Sequence, residues 1–122
     1  MFKIEVDYQK NTIELHFKGH FSYEQGRQLY AKLFQMIFRM KPGFKLLTDL
    51  SELEIMDVEA HKSIDDIMEL CSKCGVSRII RVITKNASDI GFNIMSLFHY
   101  SHSVIIHTCD SLQEAKHALK EE

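Results

Sequence analysis

Three clusters in this sequence carry side chains able to do chemistry. They are Cys71-Ser72-Lys73-Cys74, His99-Tyr100-Ser101-His102, and Asp57-Val58-Glu59. A redox Cys-x-x-Cys works at a helix N-terminus, where the positive end of the helix dipole stabilises a thiolate. Here the pair stands just before Gly75, where the spacing predicts a helix C-terminus, so the dipole opposes the thiolate. Cys71 also falls on that helix's apolar stripe. A structural zinc site needs four ligands, and Cys109 and the histidines belong to other elements. His99 and His102, at i and i+3, lack a carboxylate or third imidazole at suitable spacing; the dipole explains imidazoles at a helix C-terminus. No metal site is expected. No Ser-His-Asp or Cys-His arrangement follows from spacing. Gly19, Gly26, Gly43, Gly75 and Gly91 are isolated, so there is no phosphate-binding loop. The chain reads as a non-enzyme with no cofactor.

The third cluster is the most informative. Asp57 is placed to cap a helix, and Glu59 fits the preference for acidic residues in a first turn. The hydroxyls nearby, Ser51 and Ser63, read as structural.

Something must position these groups, and the hydrophobic pattern says what. Phe2, Ile4 and Val6 alternate with Lys3, Glu5 and Asp7. Ile13, Leu15 and Phe17 alternate with Thr12, Glu14 and His16. Period two means strands with one buried face, and the short polar link between them suits a hairpin. Ser22 is a plausible N-cap for a helix carrying Leu29, Leu33, Met36, Ile37 and Met40, which Lys41-Pro42-Gly43 is expected to end. Beyond that point dense apolar runs at 44–47, 79–83 and 104–106 alternate with helical patterns. That grammar predicts parallel strands covered by helices. Ser111 and Glu114 form a capping-box pair for a last helix with Leu112, Ala115 and Leu119. The predicted fold class is α/β in the order ββαβαβαβα: one domain over 1–122, with a mixed sheet of about five strands and helices packed on it.

Leu46-Leu47-Thr48-Asp49-Leu50-Ser51 reads as a buried strand ending in Asp-Leu-Ser. A short loop and Met56-Asp57-Val58-Glu59-Ala60 follow. This segment resembles the signature of the STAS domain, the fold of the anti-sigma-factor antagonists. There the Asp is followed by a serine pair, one of which is phosphorylated, at the start of a helix that partners recognise. The resemblance implies a regulatory protein-interaction module whose partner-binding residues are Asp49, Asp57, Val58 and Glu59. Val58 and Glu59 stand at the serine positions and neither can be phosphorylated. One carboxylate is a poor copy of a phosphoserine, which carries about −1.5 to −2 charge.

The segment 89–100 is apolar almost all round, and the first helix has a similar surplus. Mutual packing of the two helices would bury it. A homodimer surface, a partner surface or an apolar ligand pocket are the alternatives. Phe34, Phe38, Phe92, Met95 and Phe98 would form that apolar surface or line a hydrophobic small-molecule site. The latter would resemble the CRAL-TRIO lipid carriers of the same superfamily, whose serine pair is also absent.

Composition limits the remaining classes. The net charge of −2 with no basic run argues against nucleic acid. No apolar run is long enough for a membrane span, and the N-terminus reads as a strand, so a cytoplasmic location is expected. Three cysteines fit a reducing compartment without disulfides.

Overall fold

A computed structural model describes residues 1–83 and 104–120. Its elements are β1 (Phe2–Asp7), β2 (Thr12–Phe21), α1 (Tyr23–Ile37), β3 (Lys45–Met56), a 3-10 turn (Val58–Ala60), α2 (His61–Lys73), β4 (Arg78–Val82), β5 (Ile105–Cys109) and α3 (Leu112–Lys120). The expected helix over 89–100, including Phe92, Met95 and Phe98, lies outside the described residues, as do His99 and His102.

The strands form one sheet in the order β1-β2-β3-β4-β5. The β1–β2 hairpin is antiparallel and the other pairs are parallel. The sheet steps the same way from β2 to β3 and from β3 to β4. Crossovers of the usual right hand then put both connecting helices on one face. Accordingly, α1 and α2 share a core with Ile13, Leu15, Phe17, Leu46, Leu50 and Ile79. Among the described residues the other face is more thinly covered. There α3 sets Ala115 and Ala118 against Leu47, Ile80, Val82 and Cys109. The small alanines let α3 lie close over the β4 side, which leaves the outer face of β1 and β2 to polar residues.

The helix signals perform as expected at three ends. Ser22 Oγ accepts the Gln25 N–H at 3.2 Å. Ser111 Oγ accepts the Glu114 N–H at 3.2 Å, while Glu114 reaches back to the Asp110 N–H at 3.4 Å. Gly75, at φ +93°, follows the end of α2, with N–H bonds from Gly75 to Ser72 O and from Val76 to Cys71 O. This is the paired closure that a left-handed C′ residue permits.

Two expectations need correction. Helix α1 stops at Ile37, before Pro42, and residues after it form a turn in which Met40 remains buried. The Asn11 side chain holds that turn: it accepts the Lys41 N–H at 2.9 Å and donates to Lys41 O at 3.1 Å. The segment 51–56 is no loop, because β3 runs on to Met56. Its pairing with β2 slips twice, once between Asp49 and Glu52 and once between Leu53 and Ile55. Each slip adds one residue to β3, as a β-bulge does. Leu50, Leu53 and Met56 therefore all reach the buried face at a spacing of three. A strict alternation would have turned one of them outward.

Helices α1 and α2 cross at Gly26. A Cβ built there would stand 2.9 Å from both Cβ and Oγ of Ser63. Alanine normally improves a helix interior over glycine by about 1 kcal/mol. Here Gly26→Ala is expected to destabilise instead, by about 1–2 kcal/mol net, because overpacking at a rigid contact costs about 1–3 kcal/mol. Urea denaturation of the two proteins measures this; a Gly26→Ala variant as stable as wild type would contradict the close crossing.

Candidate functional site

Two polar groupings flank the length of β3 that pairs with β2. The first lies at its far end. Asp57 was expected to cap the helix that follows it, but the side chain makes no cap bond there. Its carboxylate turns to α1. Oδ2 accepts the N–H of Tyr23, the first residue of α1, at 3.2 Å, and Oδ1 lies 2.6 Å from His20 Nε2. A carboxylate suits this place, since α1 points its positive dipole end at it. The imidazole bond, with help from the Tyr23 N–H, holds the Asp57 carboxyl below the ordinary carboxylate range. One side chain thus ties the end of β2, the start of α1 and the turn into α2.

Beside this tie the surface is apolar and open. Val58 is 73% exposed and Ile55 57%. Tyr23 is also exposed, with the Arg27 guanidinium 5.9 Å from its ring centroid. Glu59 and Glu54 are exposed around them. Ala60 is buried and anchors the turn.

Asp49 does not join this surface. It is 6% exposed and sits eight residues back along β3. Strand alternation turns it to the α3 face, the same side as Leu47. Its Oδ1 accepts from the Ser51 N–H at 3.0 Å and from Ser51 Oγ at 2.5 Å, and its Oδ2 meets His16 Nδ1 at 2.9 Å. Ser51 is thus structural, as expected, and holds the first bulge. Ser63 is buried at the helix crossing.

The second grouping surrounds that carboxylate. His16 Nε2 lies 3.0 Å from Glu14 Oε1. Glu5 is the cross-strand partner of Glu14. Lys3 pairs with Glu5 at 2.7 Å, and Lys116 of α3 stands 3.9 Å from Glu14. A cleft of about 340 Å³ opens here, with His16, Asp49, Lys18 and Leu112 in its walls. This group is separate from the cysteine pair and from His99 and His102, the residues whose spacing the sequence made conspicuous. Its signal was present: Lys3 and Glu5 face outward on one strand of the hairpin, Glu14 and His16 on the other.

Cys71 is buried in the core and Cys74 is half-buried; burial pushes the Cys74 thiol up, away from a reactive thiolate. Phe34 and Phe38 are 46% and 61% exposed, and the segment expected to pack with α1 lies outside the described residues. Their rings meet edge to face at 4.9 Å, with Tyr30 at 6.0 Å from Phe34.

The His16–Asp49 pair gives a signed pH dependence. The bond to Asp49 raises the His16 pKa against the effect of burial, with Glu14 adding to the rise. Burial pushes Asp49 upward, but the bonds from His16 and Ser51 outweigh it and its pKa falls. A raised histidine stabilises the fold below its unfolded pKa, and that contribution disappears as pH rises through the folded value. A lowered aspartate stabilises above its unfolded value, and the contribution is lost as pH falls through the folded one. The protein is therefore expected to resist urea better at pH 6 than at pH 8.5, with a further loss in strong acid. His16→Gln is expected to flatten the change between pH 6 and 8.5. An unchanged slope in that variant would rule out His16 as its source.

No family model and no curated protein matches the chain. Solved structures do. SpoIIAA of Bacillus in its phosphorylated form superposes with a TM-score of 0.64 at 15% identity, over 98% of this chain and 100% of that one. An uncharacterised Shewanella loihica protein with a SpoIIAA-like fold gives 0.65 at 16% identity, over 98% and 92%. A structure of the Pseudomonas aeruginosa diguanylate cyclase SiaD in complex with its activator SiaC gives 0.59 at 14% identity, over 89% and 93%. SpoIIAA is an anti-sigma factor antagonist. The order of elements, the mixed five-stranded sheet and these superpositions agree: the chain has the STAS-like α/β fold of the anti-sigma-factor antagonists.

Proposed function

We propose that this protein is a non-enzymatic regulatory module that docks on a protein partner through the surface at the start of α2. The observation that carries this reading is the exposure of Val58 and Ile55 beside a fixed turn. Two apolar side chains held out in water, next to Tyr23 and an acidic rim, form the kind of patch that partners cover. Asp57 contributes by holding the turn through His20 and Tyr23, so the patch is pre-formed and little ordering is needed on binding. Asp49 acts from below, fixing the strand that carries Ile55 and leads into the turn with Val58. Neighbours of this fold support a regulatory role: SpoIIAA is an anti-sigma factor antagonist and SiaC is an activator of a diguanylate cyclase. Val58 and Glu59 offer no hydroxyl for phosphorylation. Control of docking then falls to partner competition or ligand binding.

Replacing Val58 and Glu59 together by arginine is expected to lower capture of one specific protein from the native cell at least ten-fold. Quantitative pull-down against wild type measures it, with Phe34→Ser on α1 as the control that keeps binding. Equal capture by wild type and the double variant would remove this surface from consideration.

A second reading, a carrier of a small hydrophobic ligand, is favoured by the exposed pair Phe34 and Phe38. Native mass spectrometry of gently purified protein is expected, on this reading, to show a co-purifying small molecule lost on Phe34→Ser/Phe38→Ser. A clean apo mass with no uptake of a fluorescent fatty acid would eliminate it.

A further inference from the structure

The outer face of the β1–β2 hairpin gathers two carboxylates and an imidazole. Glu5 and Glu14 stand directly opposite in the antiparallel register, and His16 follows Glu14 by two residues on the same face. One ligand atom from each lies within 4.8 Å of the others, and all three residues are half-buried. Among the described residues this is the one group of three or more such side chains so arranged.

We propose that Glu5, Glu14 and His16 bind a divalent first-row metal ion of the Zn²⁺ type, with Asp49 as the positioning residue for the imidazole.

Three features carry the argument. First, like charges placed directly across a strand pair are destabilising, and a cation between them removes the repulsion. Lys3 and Lys116 do part of this now, but through side chains that are 69% and 50% exposed, which a metal displaces at little cost. Second, the His16 ring is already turned as a ligand. Its Nδ1 lies against Asp49 at 2.9 Å, and Asp49 is itself locked by Ser51 at 2.5 Å and 3.0 Å. Nε2 is left facing Glu14 Oε1 at 3.0 Å. A carboxylate behind one ring nitrogen and an anionic ligand beside the other is how metal-binding histidines are oriented. Metal binding puts the cation between Nε2 and Oε1 and releases any proton held there to solvent. Third, the donor set fits the ion. One imidazole and two carboxylates suit zinc and its neighbours, and three protein ligands leave a fourth position open. Glu5 and His16 both stand in the walls of the cleft under α3, with Lys18 and Lys116.

Calorimetric titration of the chelator-treated full chain with ZnCl₂ at pH 8 tests the site. One equivalent is expected to bind. Glu5→Gln and Glu14→Gln are each expected to weaken binding at least ten-fold. Asp49→Asn is expected to weaken it about 10- to 100-fold, the usual effect of losing such a support. His117→Gln, an exposed imidazole on α3, is expected to change nothing. Circular dichroism without metal identifies any variant that fails to fold. Glu5→Gln is the decisive one, since its side chain is 41% exposed and the variant is expected to fold. No saturable binding by wild type, or equal binding by wild type, Glu5→Gln and Glu14→Gln, would overturn the proposal. So would loss of binding in His117→Gln.

Discussion

The Asp49 carboxylate fixes the course of the central strand, and most of the molecule takes its position from that strand. A bulge leaves a backbone N–H without a partner on the neighbouring strand, and a buried, unsatisfied N–H costs roughly 1–3 kcal/mol. Asp49 meets the N–H and the hydroxyl of Ser51 with one oxygen and the His16 imidazole with the other. The irregularity is thereby satisfied from within the sheet. Because β3 carries two extra residues relative to β2, it bends, and Ile55 is exposed while Leu53 and Met56 stay in the core. The same carboxylate also orients the His16 imidazole on the outer face of the hairpin.

Much of this was legible in the residues. Period-two alternation located the hairpin, and Ser22, Ser111 and Gly75 marked helix ends by chemistry that acts within one turn of chain. Such local signals survive because tertiary context has little to add to them. The length of β3 was hidden for the opposite reason. Leu50, Leu53 and Met56 are spaced by three, which fits neither a strand nor a helix, and only the register against β2 explains the spacing. Asp57 misled in a similar way. An aspartate before a helix-like pattern is read as a cap for that helix, yet its partners, His20 and Tyr23, are more than thirty residues away. The Glu5–Glu14–His16 group required knowing which residues of a hairpin stand opposite each other. The two outward faces announced it, but the register had to confirm it.

The uneven covering of the sheet organises the surface. Two helices over one face build the larger core and leave α1 with aromatic residues to spare. Among the described residues one small-residue helix covers the other face, the hairpin's outer side carries charges, and a cleft forms where α3 ends its cover. Among the described residues, the apolar excess of α1 and the polar cluster of the hairpin thus sit on opposite sides of one sheet.

The spatial order of the strands, identical to their order along the chain, also bears on how the protein folds. Each strand pairs with the one before it, so no pairing has to wait for a distant segment to arrive. Loop closure is confined to single crossovers, whose entropic cost grows only slowly with length. Sheets assembled this way have a lower contact order than those in which a later strand inserts between earlier ones, and lower contact order goes with faster folding. The antiparallel hairpin, closed by a short turn, is the natural first step. Its exposed edge is then the template on which β3 and the strands after it add in turn, each covered as its helix docks.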